Sequence, residues 1–388
     1  MSHIHTQAIN VGRTPQRFDG LVNTPVFRGS TILANSFKEW EQTKQNGDLY
    51  RNYGRFGTAT TKSFEKAIND LEGGAGCMVF PSGLSACTHA LMAFVKTGDH
   101  VLIADNIYGP TRNFADHVLT RLGITVEYFD STCLAELQQK INAKTSVVFI
   151  ESPGSITFEF SDVAAISDIS HQYAAKVLVD NSWATPLFFK PLEHGADVSI
   201  QAVTKYIGGH SDLLMGTATA NAESLDQLNQ SVHFFGETTS PDDLFLALRG
   251  LRSLAVRLKQ HHDNGIALAQ CLAAHPAVDV VCHPALPNSP DHALWQRDFA
   301  GASGLFSFYL KTQDPAFVES FFDRLEFFHI GLSWGGYESL VLPVGKPYRS
   351  TSTLPSDGYL IRIHAGLEHV EDLKADLYQA LDQAANAI

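Results

Sequence analysis

No apolar run in this chain approaches the roughly 20 consecutive residues that a bilayer crossing requires. The longer ones, such as Ala90 to Val95 and Val147 to Ile150, stop far short. Nor does the N-terminus, MSHIHTQAINVGRTPQRF, carry the continuous apolar stretch and small-residue cleavage site of a secretory signal, so a soluble, cytoplasmic protein is expected. Cysteine is scarce and unpaired in pattern. Cys77, Cys87, Cys133, Cys271 and Cys282 include no CxxC, and five thiols cannot form a complete disulfide set. They read as reduced, small core residues. The 17 histidines include no HExxH or similarly spaced ligand set, so no metal is expected. Positive charge is in deficit: 28 Lys and Arg face 41 Asp and Glu, a net charge of -13 that repels a phosphate backbone. Nucleic acid is not an expected partner.

Internal repeats and low-complexity segments are also missing. What remains is an ordinary globular balance over 388 residues, with 44% hydrophobic and 18% charged. That length supports a core without staples and two or three domains.

Residues 1–55 mix polar residues, Gly and Pro without a sustained apolar period, which predicts an extended arm reaching a neighbouring subunit. From Thr60, Phe64, Ile68 and Leu71 recur at helical spacing until Gly73-Gly74. Short apolar runs then alternate with helical stretches such as Thr111 to Leu122 and Val163 to Tyr173. The runs are CMVF (Cys77 to Phe80), VLIAD (Val101 to Asp105), TVEYF (Thr125 to Phe129), SVVFIES (Ser146 to Ser152), KVLVD (Lys176 to Asp180) and DVSIQA (Asp197 to Ala202). This rhythm predicts an α/β fold: a large domain, 56–251, around a mostly parallel mixed sheet of about seven strands covered on both faces. Leu251, Leu254 and Leu258 mark a further helix. Strand candidates Gly304 to Leu310 and Tyr359 to His364, with helices over Ala316 to Phe328 and from Val370, predict a smaller C-terminal α/β domain, 252–388.

Ligands of such sheets bind beyond the carboxyl ends of the strands, where this sequence is chemically rich. Lys205 follows the DVSIQA run between Thr204 and Tyr206 and ahead of Gly208-Gly209. Burial there would lower its pKa and make the amine nucleophilic; a surface loop lysine is the alternative. Asp180 ends the KVLVD run, where a carboxylate needs a partner such as a protonated pyridine nitrogen; a turn aspartate is the plainer reading. Pro81-Ser82-Gly83-Leu84 opens a helix whose first N–H groups can hold a phosphate. Tyr108 follows the VLIAD run, where its ring can stack on a flat cofactor or simply fill the core. Arg362, among apolar neighbours, suits a carboxylate or a structural ion pair.

A lysine, an aspartate, a glycine turn and a tyrosine at successive strand ends are what a pyridoxal-phosphate site requires. The ordered segments PSGLSA, NIYGPT, VDNSWATP and VTKYIGGHSD resemble the Cys/Met-metabolism family of pyridoxal-phosphate enzymes, of aspartate aminotransferase-like (fold type I) architecture. YGRFGTAT, ESPGSITFE, HPALP and SWGGYESL extend the resemblance along the chain, toward the family's carbon-sulfur β-lyases. It implies that Lys205 carries the cofactor and moves the Cα proton, that Asp180 pairs with the pyridine nitrogen, and that Tyr108 covers the ring. Gly83, Leu84 and the Thr204 hydroxyl would hold the phosphate. Tyr53 and Arg55 would reach it from the adjacent subunit, with Tyr53 also near substrate. Arg362, Ser333 and Trp334 would receive the substrate carboxylate. The implied activity is β-elimination from L-cystathionine in methionine biosynthesis, by a homo-oligomer with sites shared across a dimer, as a homotetramer.

Other S-conjugates, γ-elimination or γ-replacement, and a cofactor-bearing regulatory protein are the alternatives. Two departures stand out: Ala202, where many relatives have serine, and Ser155, where relatives acting at Cγ tend to have asparagine. The one GxSxG match, Gly331 to Gly335, runs into Gly336 and LVLPVG rather than the helix a nucleophile elbow needs.

Overall fold

The β-branched runs and amphipathic stretches fold into two sheets in a computed structural model that describes residues 2–45 and 52–386. The first sheet contains β1 (Gly76–Phe80), β2 (His100–Ala104), β3 (Thr125–Phe129), β4 (Thr145–Glu151), β5 (Lys176–Asp180), β6 (Val198–Ala202) and β7 (Gly216–Ala220), in the order β1-β7-β6-β5-β4-β2-β3. Neighbours from β6 through β3 are parallel, whereas β7 runs antiparallel to both β1 and β6. Every residue of β2 and β7 is buried, as expected of strands covered on both faces.

The second sheet contains β8 (Val278–Cys282), β9 (Leu305–Leu310), β10 (His329–Ile330), β11 (Leu340–Gly345) and β12 (Tyr359–His364), in the order β10-β11-β12-β9-β8. It is antiparallel except between β10 and β11. The helices Pro315–Asp323 and Val370–Asn386 bury Phe317, Phe321, Leu373, Leu377 and Leu381 in its core. Between the sheets runs the 33-residue helix Pro241–Ala273, about 50 Å long at 1.5 Å per residue. It passes through residue 252 and packs against both the helix Ala59–Glu72 and the helix Val370–Asn386.

Several expectations need correction. The N-terminal segment is not simply extended. It contains the helices Ile4–Asn10 and Phe37–Gln45, the first of which buries Ala8 against the helices Ala59–Glu72 and Pro241–Ala273. Residues 46–51 of the arm lie outside the described residues. The helix expected to reach Phe328 ends at Asp323. The stretch Thr111 to Leu122 begins as the α-helix Gly109–Phe114, then widens to a π-turn over Ala115–Leu119 and tightens to a 3-10 turn.

Strand β7 was not among the apolar runs because Gly-Thr-Ala-Thr-Ala has no large side chain. Its smallness is required. A side-chain carbon at Gly216 would lie 2.5 Å from the Ser82 carbonyl oxygen and 2.9 Å from Gly83 Cα, so the turn after β1 rests directly on this strand.

Candidate active site

The parallel strands β4, β5 and β6 point their carboxyl ends to one side, where the five-stranded sheet closes over them. Trp183, just past β5, donates its indole N–H to the Leu305 carbonyl of β9 at 2.8 Å. Gly304 donates to the Tyr206 hydroxyl at 3.1 Å. The cleft between is lined by Gly83, Leu84, Tyr108, Asp180, Thr204, Lys205, Trp334 and Arg362, among others. Eight of the residues singled out in the sequence thus share one pocket.

Lys205 follows β6 in a tight turn: its N–H donates to the Ala202 carbonyl at 3.0 Å, and its own carbonyl accepts from Gly209 at 2.8 Å. The buried Arg257 donates to the carbonyls of Tyr206 at 2.7 Å and Gly250 at 2.8 Å, which fixes the backbone that carries the lysine. Burial, with the Arg362 charge adding to it, lowers the Lys205 pKa to about 8. Its Nζ lies 2.8 Å from Ser333 Oγ and 5.1 Å from the centre of the Trp334 ring. An amine so placed is partly neutral near neutral pH, fit for carbonyl addition and proton transfer.

At the other side of the pocket Asp180 is buried. Its Oδ1 accepts from Ser182 N at 3.0 Å and Ser182 Oγ at 2.6 Å, and its Oδ2 from the Cys87 thiol at 3.6 Å. Among the described residues no cation pairs with it, and burial raises its pKa despite the Ser182 and Cys87 hydrogen bonds. Such a carboxylate is stabilised by a buried cationic ring nitrogen. Ser82 caps the helix Gly83–Ala93 by accepting from Ser85 N at 3.0 Å; the amides of Gly83 and Leu84 precede the first intrahelical bond and line the pocket. A side-chain carbon at Gly83 would lie 2.7 Å from Ala202 Cβ, so only glycine fits there. The donor set therefore fits pyridoxal phosphate: first-turn amides for the phosphate, Asp180 for the ring nitrogen and Lys205 for the carbonyl carbon. Thr204 is more committed than expected, since its hydroxyl accepts from Met215 N at 3.0 Å and donates to Met215 O at 3.2 Å.

Arg362 comes from the middle of β12. Its Nη2 donates to the carbonyls of Leu332 at 2.8 Å and Ser333 at 3.1 Å, and burial lowers its pKa to about 10. It faces the pocket without a carboxylate partner among the described residues, as a receptor for a substrate carboxylate would. The GxSxG serine is no nucleophile elbow: Ser333 sits in the turn between β10 and β11, on the lysine amine.

Tyr53 and Arg55 do not join this pocket within one chain. Tyr53 is 44% exposed and bridges to Thr31, while Arg55 lies 4.3 Å over the Phe56 ring beside a separate cleft. Among the polar lining residues, Glu151, Cys87 and Ser182 were given no role in the site by sequence. Glu151 ends β4 in register with Asp180, and its Oε2 accepts from Tyr108 N at 2.6 Å; burial and then the Asp180 charge push its pKa well up. Its place at the end of the SVVFIES run was the available signal. Cys87 and Ser182 gave none, because each is read only through Asp180.

The family model for "Cys/Met metabolism PLP-dependent enzyme" matches residues 5–382. The chain is 42% identical over 385 residues to cystathionine beta-lyase MetC of Escherichia coli, covering 96% of this chain and 97% of that one. It is 39% identical to the L-alanine/L-glutamate racemase of Wolbachia pipientis, covering 96% and 95%. Among solved structures, metB of Corynebacterium glutamicum superposes with a TM-score of 0.90 at 29% identity, over 99% of this chain and 98% of that one.

Proposed function

Because the chain belongs to the Cys/Met metabolism family of PLP-dependent enzymes, we propose that it is a carbon-sulfur β-lyase that converts L-cystathionine and water to L-homocysteine, pyruvate and ammonia. The observation that carries this reading is the pairing, in one pocket, of a lysine with a pKa near 8 and a buried aspartate that has no ion-pair partner among the described residues. Pyridoxal phosphate, when bound, supplies the electron sink for charge developing at the substrate Cα. The Gly83 and Leu84 amides would hold its phosphate, Asp180 would keep its ring nitrogen protonated, and Tyr108 would lie beside its ring. Arg362 takes the substrate α-carboxylate and fixes the Cα–H bond relative to Lys205 Nζ. Lys205 then removes the Cα proton; loss of the thiolate from Cβ follows. Tyr53 and Arg55, outside their own chain's pocket, reach a neighbour's phosphate and substrate, so the active unit is a dimer within a homotetramer in the cytoplasm.

A second reading rests on the racemase relative. Removing and returning the Cα proton uses the same lysine but loses no Cβ group, and so racemises alanine. Purified protein given L-cystathionine should form pyruvate and free thiol, with a cofactor absorbance band in wild type and with turnover lost in Lys205→Ala. If 2-oxobutyrate appears instead, the chemistry is at Cγ. Conversion of L-alanine to D-alanine without pyruvate from cystathionine would replace the lyase reading by the racemase one.

A further inference from the structure

Strand β12 presents Arg362 and His364 two residues apart, hence on the same face of the sheet. Arg362 grips the start of the turn between β10 and β11 through the carbonyls of Leu332 and Ser333. His364 grips its middle: Nε2 accepts the Gly335 N–H at 3.1 Å, and Nδ1 lies 3.1 Å from the Glu338 carbonyl. A nitrogen that accepts from an amide is unprotonated, and the one facing a carbonyl carries the hydrogen. The two contacts together therefore require one neutral tautomer. His364 is 1% exposed, and burial, then the neighbouring His261, Arg362 and Lys205, hold its pKa well below the usual range.

The gripped turn rides on the lysine. Ser333 Oγ meets Lys205 Nζ, and Trp334 packs its ring 5.4 Å from that of Tyr206. Gly335 has φ +85°, and a side-chain carbon there would lie 2.8 Å from Lys205 Cα. Any slackening at Gly335 thus moves Ser333 against the amine and the Leu332 carbonyl against Arg362.

We propose that His364 is a positioning residue: by accepting from Gly335 N–H it holds the Leu332–Gly335 turn in the register that sets the Ser333 hydroxyl on Lys205 and aims Arg362 at the substrate carboxylate. The inference rests on the roles given above to Lys205 and Arg362. It touches no substrate itself, so its signature is a change in binding and rate without loss of the fold.

The test compares His364→Gln, which keeps an acceptor near the Nε2 position, with His364→Asn, which is too short to supply it, in the cofactor-loaded protein. Hydrogen exchange read by mass spectrometry should show the Gly335 segment exchanging about tenfold faster in His364→Asn and at nearly the wild-type rate in His364→Gln. With L-cystathionine, His364→Asn should raise KM about tenfold and lower kcat by a similar factor, the scale expected when catalytic groups shift by a fraction of an ångström. His364→Gln should recover both to within about threefold. Faster exchange with KM unchanged would overturn the proposal, as would a His364→Gln protein no better than His364→Asn. If instead Lys205→Ala keeps full lyase activity, it is the underlying site assignment that fails.

Discussion

Two buried aspartates stand at the carboxyl ends of β2 and β5, with β4 between them in the same sheet, and have opposite electrostatic fates. Asp105, just past β2, is 1% exposed. Its carboxylate accepts from Ser350 N at 2.8 Å, Thr351 N at 2.7 Å, Ser352 N at 3.1 Å and Ser350 Oγ at 2.7 Å, and pairs with Arg112. Burial alone would raise its pKa, but the Ser350 hydroxyl and the three amides hold it well below the usual carboxylate range. Asp180, at the end of β5, has one serine, one thiol and, among the described residues, no cation in an ion pair, and burial outweighs them and the Lys205 charge. The first aspartate is a finished structural joint that pins the 350–352 loop, while the adjacent Arg349 donates to the Ser155 carbonyl at 3.0 Å on the pocket rim. The second is an unfinished one, with capacity left for a ligand. A buried charge whose partners are all protein serves the fold; one short of partners serves a ligand.

The comparison breaks first at Asp180. Asp180→Asn should lower kcat/KM by at least about a hundredfold and weaken cofactor binding, since a neutral amide cannot keep the ring nitrogen protonated. The cofactor-free protein should be no less stable, because at pH 7 the wild-type fold bears the cost of an under-compensated buried charge that Asn removes. Thermal unfolding with and without pyridoxal phosphate checks both halves.

Asp105→Ala should do the reverse, costing about 3 kcal/mol of stability by leaving Arg112 and three amides without their acceptor, measurable by denaturant unfolding. The sign of its pH dependence follows from the depressed pKa. The contribution is full above the unfolded value of about 3.9 and is lost as pH falls through the folded value, so wild type should lose more stability than Asp105→Ala between about pH 4 and pH 2.

Glu151 sharpens the contrast on a smaller scale. With its pKa pushed well up by burial and the Asp180 charge, Glu151 serves as the acceptor for Tyr108 N–H, so Glu151→Gln should keep kcat within about threefold, whereas Glu151→Leu should lose more. A hundredfold loss in Glu151→Gln would mean that its ionised form is required. Cys87→Ala, which removes a long thiol contact to Asp180, should change kcat/KM least, by about twofold or less.

Much of this was legible in one dimension. Six of the seven strands of the large sheet announce themselves as β-branched runs, and the residues after them, Lys205, Asp180, Tyr108 and Gly83, lie in one pocket because parallel strands put their carboxyl ends on one side. β7 escaped because its selection is for smallness under the Ser82-Gly83 turn rather than for hydrophobicity. The helices of the N-terminal segment escaped because only Ala8 of Ile4–Asn10 is buried, too little to leave an apolar period. β8 and β11 escaped because their partly exposed alternation is broken by Asp279 and by Pro343.

The sequence by itself determined the α/β rhythm, the strand-end chemistry and the family, all of which depend on local patterning and on residue order. Tertiary structure decided which of two alike aspartates is satisfied, that Ser333 sits on the lysine amine, and that Arg362 and His364 jointly hold the turn bearing it. Those outcomes depend on contacts between residues distant in the chain, 26–30 positions for Arg362 and His364 with their turn and well over a hundred for Lys205 with Ser333 and Asp105 with Ser350. Burial and hydrogen-bond partners, which set each charge's energy, exist only once the two sheets have closed on each other.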